Sequence, residues 1–354
     1  GNPRLHELAG SLKAEDVIAA AGRVRLRPPD MVNAGMKTGH VEVELKEAEI
    51  FNRSKVPPFN VTDKSKANDD LRMRYRYLDL RRDSMQRNIG FRHDLALAVR
   101  NFLSSRGFLE IETPLLVKRT PEGARDYLVP SRIHKGRFYA LPQSPQLFKQ
   151  ILMVSGFDKY FQLARCLRDE DLRADRQPEH TQIDMEMSFV TPDNVFAVVE
   201  GMMQHTLKTV FGIEITTPFP RHSYAEVMNR WGIDKPDIRF GMEIVDLSPD
   251  VGQCGFKVFA DTVESGGVVK GIVLKGGANY SRKQLDELTE KAKSLGAGGL
   301  AYVLRTESED KSPILKFIGE ELKDALCKKA GAEKGDALFI ISGPRLKAEA
   351  ILGQ

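Results

Sequence analysis

The chain has 354 residues, 41% hydrophobic and 29% charged, which is typical of a globular protein of about two or three domains. Its net charge of +4, from 53 basic and 49 acidic side chains, is too small to indicate a nucleic-acid partner by itself. No apolar run approaches the roughly 20 residues of a membrane helix. The three cysteines form no CxxC pair, which argues against a zinc site or a disulfide framework and predicts a reduced, cytoplasmic compartment.

The N-terminal part predicts a short helix followed by two strands. Residues 4–13 are amphipathic, and β-rich runs lie near residues 21–29 and 40–54, where Val41 and Val43 alternate with glutamates. This order resembles the last part of an OB-fold barrel, which has about five strands, so about three strands would lie upstream. The alternative is a β-hairpin that packs on the next domain.

A linker and then a strongly basic segment follow. Residues 57–70 have linker composition, and residues 71–87 contain six arginines interleaved with Tyr75 and Tyr77. Basic residues alternating with aromatics suit contacts to an RNA backbone. They suit an interdomain hinge with packed arginine stems equally well. Both interpretations stay open at this point.

The next elements are a helix, a strand and an irregular segment. Apolar residues recur at helical spacing over residues 89–106, and Gly107 follows as a left-handed cap. Residues 108–116 predict a strand. Pro114 at its end cannot donate to a central ladder and should therefore lie at an edge or an interface. Residues 117–132 lack periodicity and predict a loop.

Ser144-Pro145 predicts the start of a second helix, with Ser144 as N-cap. Gln146 and Lys149 lie three positions apart and therefore share a helix face. The buried side of this helix is expected to consist of four apolar residues: Leu147, Phe148, Ile151 and Leu152.

The stretch from Cys166 to Phe189 predicts two antiparallel strands joined by a long charged loop. After His180 the alternation is strict and places one set of residues on a single face: Gln182, Asp184, Glu186 and Ser188. In the preceding strand, near residues 160–170, Gln162, Arg168 and Glu170 share a face. The loop itself contains Arg173, Asp175 and Arg176. Taken alone, this pattern is typical of a solvated surface hairpin.

The C-terminal third predicts an α+β module. It follows a helix from Thr191-Pro192 to Phe211 and a capping box at Ser223 and Glu226. Strands are predicted at residues 255–260, 268–274, 300–304 and 336–342, and helices at 281–295 and 312–330. We identify no catalytic constellation in this module.

Four motifs, in this order, resemble the class II aminoacyl-tRNA synthetases. FLEIETP (108–114) resembles the first class II motif, and RDEDLRADRQPEHTQIDMEMSF (168–189) resembles the second. TPEGARDYLVPSR (120–132) and LPQSPQLFKQ (141–150) resemble the aspartyl members rather than the lysyl and asparaginyl ones. The resemblance implies an α+β fold whose catalytic domain is built on an antiparallel sheet.

The same resemblance implies a division of the chain into domains. Residues 1–62 would form a partial OB-fold anticodon-binding domain, and residues 63–240 the catalytic domain with the first and second motifs. Residues 241–343 would be the insertion domain of the bacterial type, and residues 344–354 the return to the catalytic core.

The resemblance also implies a reaction and a set of site residues. The family joins aspartate to ATP, with Mg²⁺ expected alongside the nucleotide, and transfers the aspartyl group to the 3′ end of tRNA. Arg168 is the expected catalytic residue, since a guanidinium suits both the α-phosphate and the substrate carboxylate. ATP would be bound by Arg168, Asp169, Glu170 and Gln177. Aspartate would be bound by Arg168 and by Glu122, Gln146, Lys149 and Asp184, with Lys149 on its side-chain carboxylate. Residues 117–132 would act as a lid, and Pro114 would belong to a homodimer motif.

The chain departs from the family at the third motif. We find no glycine-rich stretch ending in Gly-x-Asp-Arg. We therefore expect the chain to be part of a longer aspartate–tRNA ligase, to contain no metal site of its own, and to be inactive by itself. The alternative is a non-catalytic RNA-binding or regulatory relative that lacks the third motif.

Overall fold

A computed structural model describes residues 3–120, 122–172 and 177–354. It contains two compact units, Gly1–Phe219 and Pro220–Gln354, and each is considered by itself below. The predicted loop residues Arg173, Asp175 and Arg176 lie outside the described residues. The finer domain boundaries drawn from the sequence stay predictions. No helix in the described ranges is long and apolar enough to cross a membrane.

The first unit begins with a helix and a two-stranded antiparallel sheet. Helix α1 (Pro3–Ser11) precedes strands β1 (Val17–Leu26) and β2 (Val41–Asn52). Val24 lies opposite Val43, and a bulge follows Ala21. The prediction of a helix and two strands is confirmed, although β1 begins four residues earlier than expected (17 against 21).

The basic segment folds into two short helices around a buried carboxylate. Helices α2 (Asp69–Arg74) and α3 (Arg76–Asp79) follow the linker. The Asp79 side chain is fully buried and accepts from Arg72 Nε at 2.9 Å, from Arg82 at 3.0 Å and from Arg76. These hydrogen bonds, above all the one from Arg72, hold the pKa of Asp79 below its ordinary value against the effect of burial. Three of the six arginines are therefore committed to an internal network.

The rest of the first unit places a small sheet between helices. In chain order its elements are α4 (Asp83–Ser105), β3 (Leu109–Glu110), β4 (Leu128–Pro130), β5 (Phe138–Ala140), α5 (Gln146–Val154), β6 (Lys159–Leu167), β7 (Glu179–Met187) and α6 (Pro192–Phe211). The sheet has the order β3-β6-β7, with β6 and β7 antiparallel and β3 parallel to β6. Its apolar face packs on α4 and α6 through Phe102, Leu103, Phe161 and Met202.

Two predictions in this unit are wrong in part. The strand expected at 108–116 is limited to Leu109–Glu110, and the last backbone bond to β6 is from Ile111 N to Phe161 O at 3.2 Å. Pro114 has no N–H with which to continue this ladder. In α5, Leu147 and Ile151 are 50% and 59% exposed, so neither contributes to a buried side of that helix in this unit.

The second unit is an antiparallel five-stranded sheet with helices. Its elements are α7 (Tyr224–Trp231), β8 (Val245–Asp246), α8 (Ser248–Val251), α9 (Lys257–Glu264), β9 (Val268–Leu274), α10 (Arg282–Ser294), β10 (Ala301–Arg305), β11 (Asp310–Lys311), α11 (Leu315–Ala330), β12 (Ala337–Gly343) and α12 (Arg345–Gly353). The strand order is β11-β10-β12-β9-β8. The α+β class is therefore confirmed in both units.

The strand predicted at 255–260 is wrong, because Lys257–Glu264 is the helix α9. Phe256, Phe259 and Val263 pack together against the sheet core, and their spacing of three and four is helical. The other three predicted strands are confirmed as β9, β10 and β12. Helix α11 starts at Leu315, three residues after the start predicted at residue 312.

We expect Asp79→Asn to lower the thermal midpoint of the first unit by about 5 °C or more, because it removes the charge on which three arginines converge. Since the pKa of Asp79 is lowered on folding, its contribution is present above about pH 4 and is lost as the pH falls below that value. Calorimetry between pH 7 and pH 3.5 measures both effects.

The matched control is Asp69→Asn. Asp69 pairs with the same Arg72 at 2.8 Å, but its side chain is 85% exposed, and such pairs contribute little. Equal midpoints for the two variants at pH 7 would contradict the role given to Asp79.

Candidate active site

The register of β6 and β7 builds the polar face predicted from the sequence. Gln162 lies opposite Asp184, and Cys166 lies opposite His180. Residues directly opposite in an antiparallel pair point to the same side of the sheet. The other side carries Phe161 and its apolar neighbours, as the alternation predicts. The polar side is covered by α5, which contacts both strands.

Lys149 of α5 is held between two carboxylates of β7. Its Nζ lies 2.9 Å from Asp184 Oδ1 and 3.3 Å from Glu186 Oε2. Burial lowers the pKa of Lys149, but the hydrogen bond to Asp184 and the charges of both carboxylates outweigh it and raise the pKa above its ordinary value. Lys149 is therefore charged at neutral pH. The local charges are one cation and two anions, which leaves the site receptive to a further positive group.

Two buried polar atoms of opposite character lie unpaired at this face. Within the part of the chain that the structure describes, Asp184 Oδ2 and Arg168 Nε have no hydrogen-bond partner. Arg168 follows the last residue of β6, and its backbone N donates to Pro178 O at 2.8 Å. Buried polar groups are normally paired, so this unpaired acceptor and this unpaired donor are available for contacts with a ligand.

Cys166 is buried on the polar face, where charged candidate residues affect its thiol. Burial raises the pKa of its thiol, Arg168 opposes that shift, and the carboxylates of Asp184 and Glu122 add to it. Lys149 acts on the same thiol in the lowering direction. Charges on four of the predicted site residues therefore act on this thiol, and the four lie in the loop 117–132, on α5, after the end of β6 and on β7.

Glu122 is positioned by hydroxyl groups. Ser144 Oγ donates to Glu122 Oε2 at 2.7 Å, and Thr120 Oγ1 donates to Glu122 Oε1 at 3.3 Å. Ser144 was expected to cap α5, but the helix begins at Gln146 with Pro145 before it. The Ser144 hydroxyl also accepts from Gln146 N at 3.3 Å, so one side chain serves both the loop and the helix.

The remaining predicted site residues are Gln146, Asp169, Glu170, Gln177 and Pro114. Gln146 is half-buried in the first turn of α5, one turn before Lys149. Asp169 and Glu170 are exposed beyond the end of β6, where Asp169 forms a backbone bridge to Arg125. Gln177 is exposed just before β7. Their roles in nucleotide binding stay predictions, as does the role of Pro114, which is exposed.

Sequence reasoning missed three residues of this region. Glu186 shares the face of Asp184 at a spacing of two, and that alternation was a usable signal for the second carboxylate on Lys149. Tyr160 is fully buried, and its hydroxyl donates to Gln162 Oε1 at 2.9 Å. Burial and the nearby charge of Asp184 raise the pKa of this phenol. Gln143 contacts residues about 20 positions away, and no periodic pattern indicates such a contact.

The described residues contain no group of three or more His, Cys, Asp or Glu side chains that could hold a metal ion. The cations of the polar face are Lys149 and Arg168. The arrangement therefore suits a ligand that carries both an ammonium group and anionic groups: carboxylates and Arg168 face the polar side, with Lys149 between them.

Comparison with known proteins adds independent information. Residues 68–348 match the model of a family described as tRNA synthetases class II (D, K and N). An "Aspartate--tRNA(Asp/Asn) ligase" of Natranaerobius thermophilus is 51% identical over 351 residues, which are 99% of this chain and 60% of that protein. An "Aspartate--tRNA ligase" of Lysinibacillus sphaericus is 52% identical over 349 residues, which are 98% of this chain and 59% of that protein.

A solved structure supports the fold. A crystal structure from Leishmania major Friedlin, named as an aspartyl-tRNA synthetase, matches with a TM-score of 0.51 and 20% identity. The match covers 58% of this chain and 41% of that one. The chain thus spans about 60% of the length of the curated relatives that it matches.

The burial of Cys166 beneath the polar face leads to a labelling prediction. Since only the thiolate reacts and the pKa of Cys166 is raised, we expect its alkylation by iodoacetamide at pH 8 to be at least about tenfold slower than in the unfolded chain. Mass spectrometry of timed samples gives the rate for each cysteine.

Cys327 is the matched control, because it is also buried with a raised pKa but belongs to the second unit. Cys254 is only partly buried and should react first. Labelling of Cys166 as fast as that of Cys254 would show that the polar face is more open than described.

Proposed function

Because the chain belongs to the class II tRNA synthetases of the D, K and N group, we propose that the full-length protein is an aspartate–tRNA ligase. The observation that carries the proposal is the buried contact between Lys149 Nζ and Asp184 Oδ1 at 2.9 Å, on the sheet face where Asp184 Oδ2 and Arg168 Nε lack partners among the described residues. Carboxylates suit the ammonium group of an amino acid, and Lys149 and Arg168 suit its anionic groups. The names of the relatives support aspartate as that amino acid.

The proposed reaction has two steps. An oxygen of the aspartate α-carboxylate attacks the α-phosphorus of ATP, pyrophosphate leaves, and aspartyl-adenylate forms. A ribose hydroxyl at the 3′ end of tRNA then attacks the activated carbonyl carbon, AMP leaves, and the hydroxyl proton is released. Mg²⁺ arrives with ATP as part of that substrate. Positioning and fixed positive charge supply most of the catalysis in such a displacement between anions.

In this proposal the ammonium group of aspartate binds to carboxylates that are already in place. Asp184 Oδ2 is buried and has no hydrogen-bond partner among the described residues, so it can accept from the ammonium. Glu122, fixed by Ser144, and Gln146 complete the ammonium site. A ligand that donates a hydrogen bond to this buried oxygen offsets the free-energy cost of leaving the oxygen unpaired away from water.

Lys149 binds the side-chain carboxylate of aspartate. An ammonium group has three N–H donors. Two contacts of Lys149 go to Asp184 and Glu186, so a further N–H remains for the substrate. Arg168 binds the α-phosphate and the reacting carboxylate, and Asp169, Glu170 and Gln177 lie on the nucleotide side. Loop 117–132 covers the bound amino acid.

We expect Arg168→Ala to reduce aspartate-dependent pyrophosphate exchange in the full-length protein by about hundredfold or more, because a charge-assisted contact at the reacting centre contributes about 3 kcal/mol. The assay follows labelled pyrophosphate into ATP with aspartate as the only amino acid.

The matched control is Arg165→Ala. Arg165 lies on β6, three residues before Arg168, but its side chain is 61% exposed and pairs with Glu179 at 2.7 Å. A rate within threefold of wild type for Arg168→Ala would remove Arg168 from the site. Absence of exchange in the wild-type protein would favour the non-catalytic relative.

The proposal includes a homodimer in the cytoplasm with tRNA as a partner. Three apolar residues near Pro114, namely Leu109, Leu115 and Leu116, are each at least 50% exposed in the chain alone and would be covered in a dimer. We expect light scattering of the full-length protein at micromolar concentration to give twice the monomer mass. A monomer mass would contradict the dimer without affecting the proposed reaction.

A further inference from the structure

The side chain of Gln143 is buried among hydrogen bonds to another segment. Its Oε1 accepts from Ala124 N at 3.0 Å, and its Nε2 donates to Ala124 O at 2.9 Å. The amide thus pairs with both backbone groups of one residue, as a neighbouring strand would. Nε2 also donates to Asp126 Oδ1. Gln143 is 1% exposed, and both its donor group and its acceptor are in use.

The segment 122–127 is held at three further points along its length. Glu122 accepts from Ser144, Arg125 O accepts from Asp169 N at 3.0 Å, and Tyr127 O accepts from Leu141 N at 2.9 Å. Glu122 therefore lies at one end of this segment, and a contact to the residue after Arg168 lies in its middle. The segment joins the side of the site that holds Glu122 to the side that holds Arg168.

Gln143 supplies hydrogen bonds that segment 122–127 would otherwise obtain from a helix or a strand. Most of residues 122–127 have no strand or helix partner, so the backbone groups of Ala124 depend on a side chain for their hydrogen bonds. Asp126 depends on the same amide, since its side chain is 3% exposed and its other contact is Arg119 at 3.5 Å. Removing the amide would leave three polar groups unpaired in a poorly hydrated place.

We propose that Gln143 is a positioning residue for aspartate binding. Its amide holds segment 122–127 in place through Ala124 and Asp126 and so fixes Glu122, which lies at the start of that segment. The claim about aspartate rests on the proposed function, whereas the claim about the segment does not. Gln143 acts through Glu122 and touches no reacting atom.

The first test measures hydrogen exchange in the full-length protein. Gln143→Met keeps the size of the side chain but removes its polar atoms, and Gln150→Met makes the same change at an exposed position of α5. We expect the Ala124 amide to exchange about tenfold or more faster in Gln143→Met than in Gln150→Met, because its acceptor is gone. Equal exchange rates would overturn the proposal.

The second test separates binding from chemistry. In pyrophosphate exchange, Gln143→Met should raise KM for aspartate about tenfold or more and leave kcat within about threefold, since Glu122 acts on bound aspartate and not on the reacting atoms. A fall in kcat with unchanged KM would overturn the positioning role. If the wild type shows no exchange, the proposed function and the aspartate claim both fail, and hydrogen exchange still decides whether Gln143 holds the segment.

A second pair of variants covers the case in which Gln143→Met does not fold. Gln143→Glu keeps the acceptor for Ala124 N but loses both donor contacts and places a carboxylate beside Asp126. We expect the same rise in KM for aspartate with the Ala124 amide still protected. Adding Asp126→Asn returns a donor to this contact and should recover most of the loss. A KM that does not respond to either change would refute the role of Gln143.

Discussion

The candidate site depends on one interaction, the buried contact between Lys149 and Asp184 at 2.9 Å. Taking both charges out of water costs free energy that their attraction does not reliably recover. Such a pair is weak evidence of a contribution to stability, and its presence on a polar sheet face is better explained by what it can bind. With Glu186 at 3.3 Å from Lys149, the net charge of these three side chains is negative. The buried Oδ2 of Asp184, which has no hydrogen-bond partner among the described residues, can accept from a ligand. Neither Lys149 nor Asp184 is left as an isolated buried charge before a ligand arrives.

The sequence was sufficient to predict the framework of this site. Strict alternation after His180 predicted which residues of β7 share a face, and the observed register agrees, with Gln162 opposite Asp184. Helix ends with local signals were also predictable. Thr191 and Asn194 form the capping box of α6, and Gly212 ends that helix with φ of 68°. In each case the residues that determine the strand face or the helix end lie within a few positions of it in the sequence.

The failures share a different physical origin. The six residues 255–260 include four hydrophobic ones, a pattern that suits a short strand as well as a helix turn. Contacts with the rest of the sheet core decide in favour of α9. The arginines of residues 71–87 left RNA contact and an interdomain hinge equally open, and the sequence did not indicate that three of them converge on Asp79. Charge composition counts side chains, whereas function depends on which of them remain available after folding. The hydrogen bonds of Gln143 join distant segments without any repeat, so no pattern of spacing reveals them.

One side of the site is built from a helix and a strand, and the other side from irregular segments that a backbone bridge joins. Lys149 and Asp184 lie on a helix and a strand that pack on each other. Glu122 and Asp169 lie on irregular segments, and the backbone bridge between Arg125 and Asp169 joins these two segments directly. In that bridge Asp169 N donates to Arg125 O at 3.0 Å. Since reacting groups must be held close to their productive geometry, the pair of Lys149 and Asp184 would set where the amino acid lies under the proposed function.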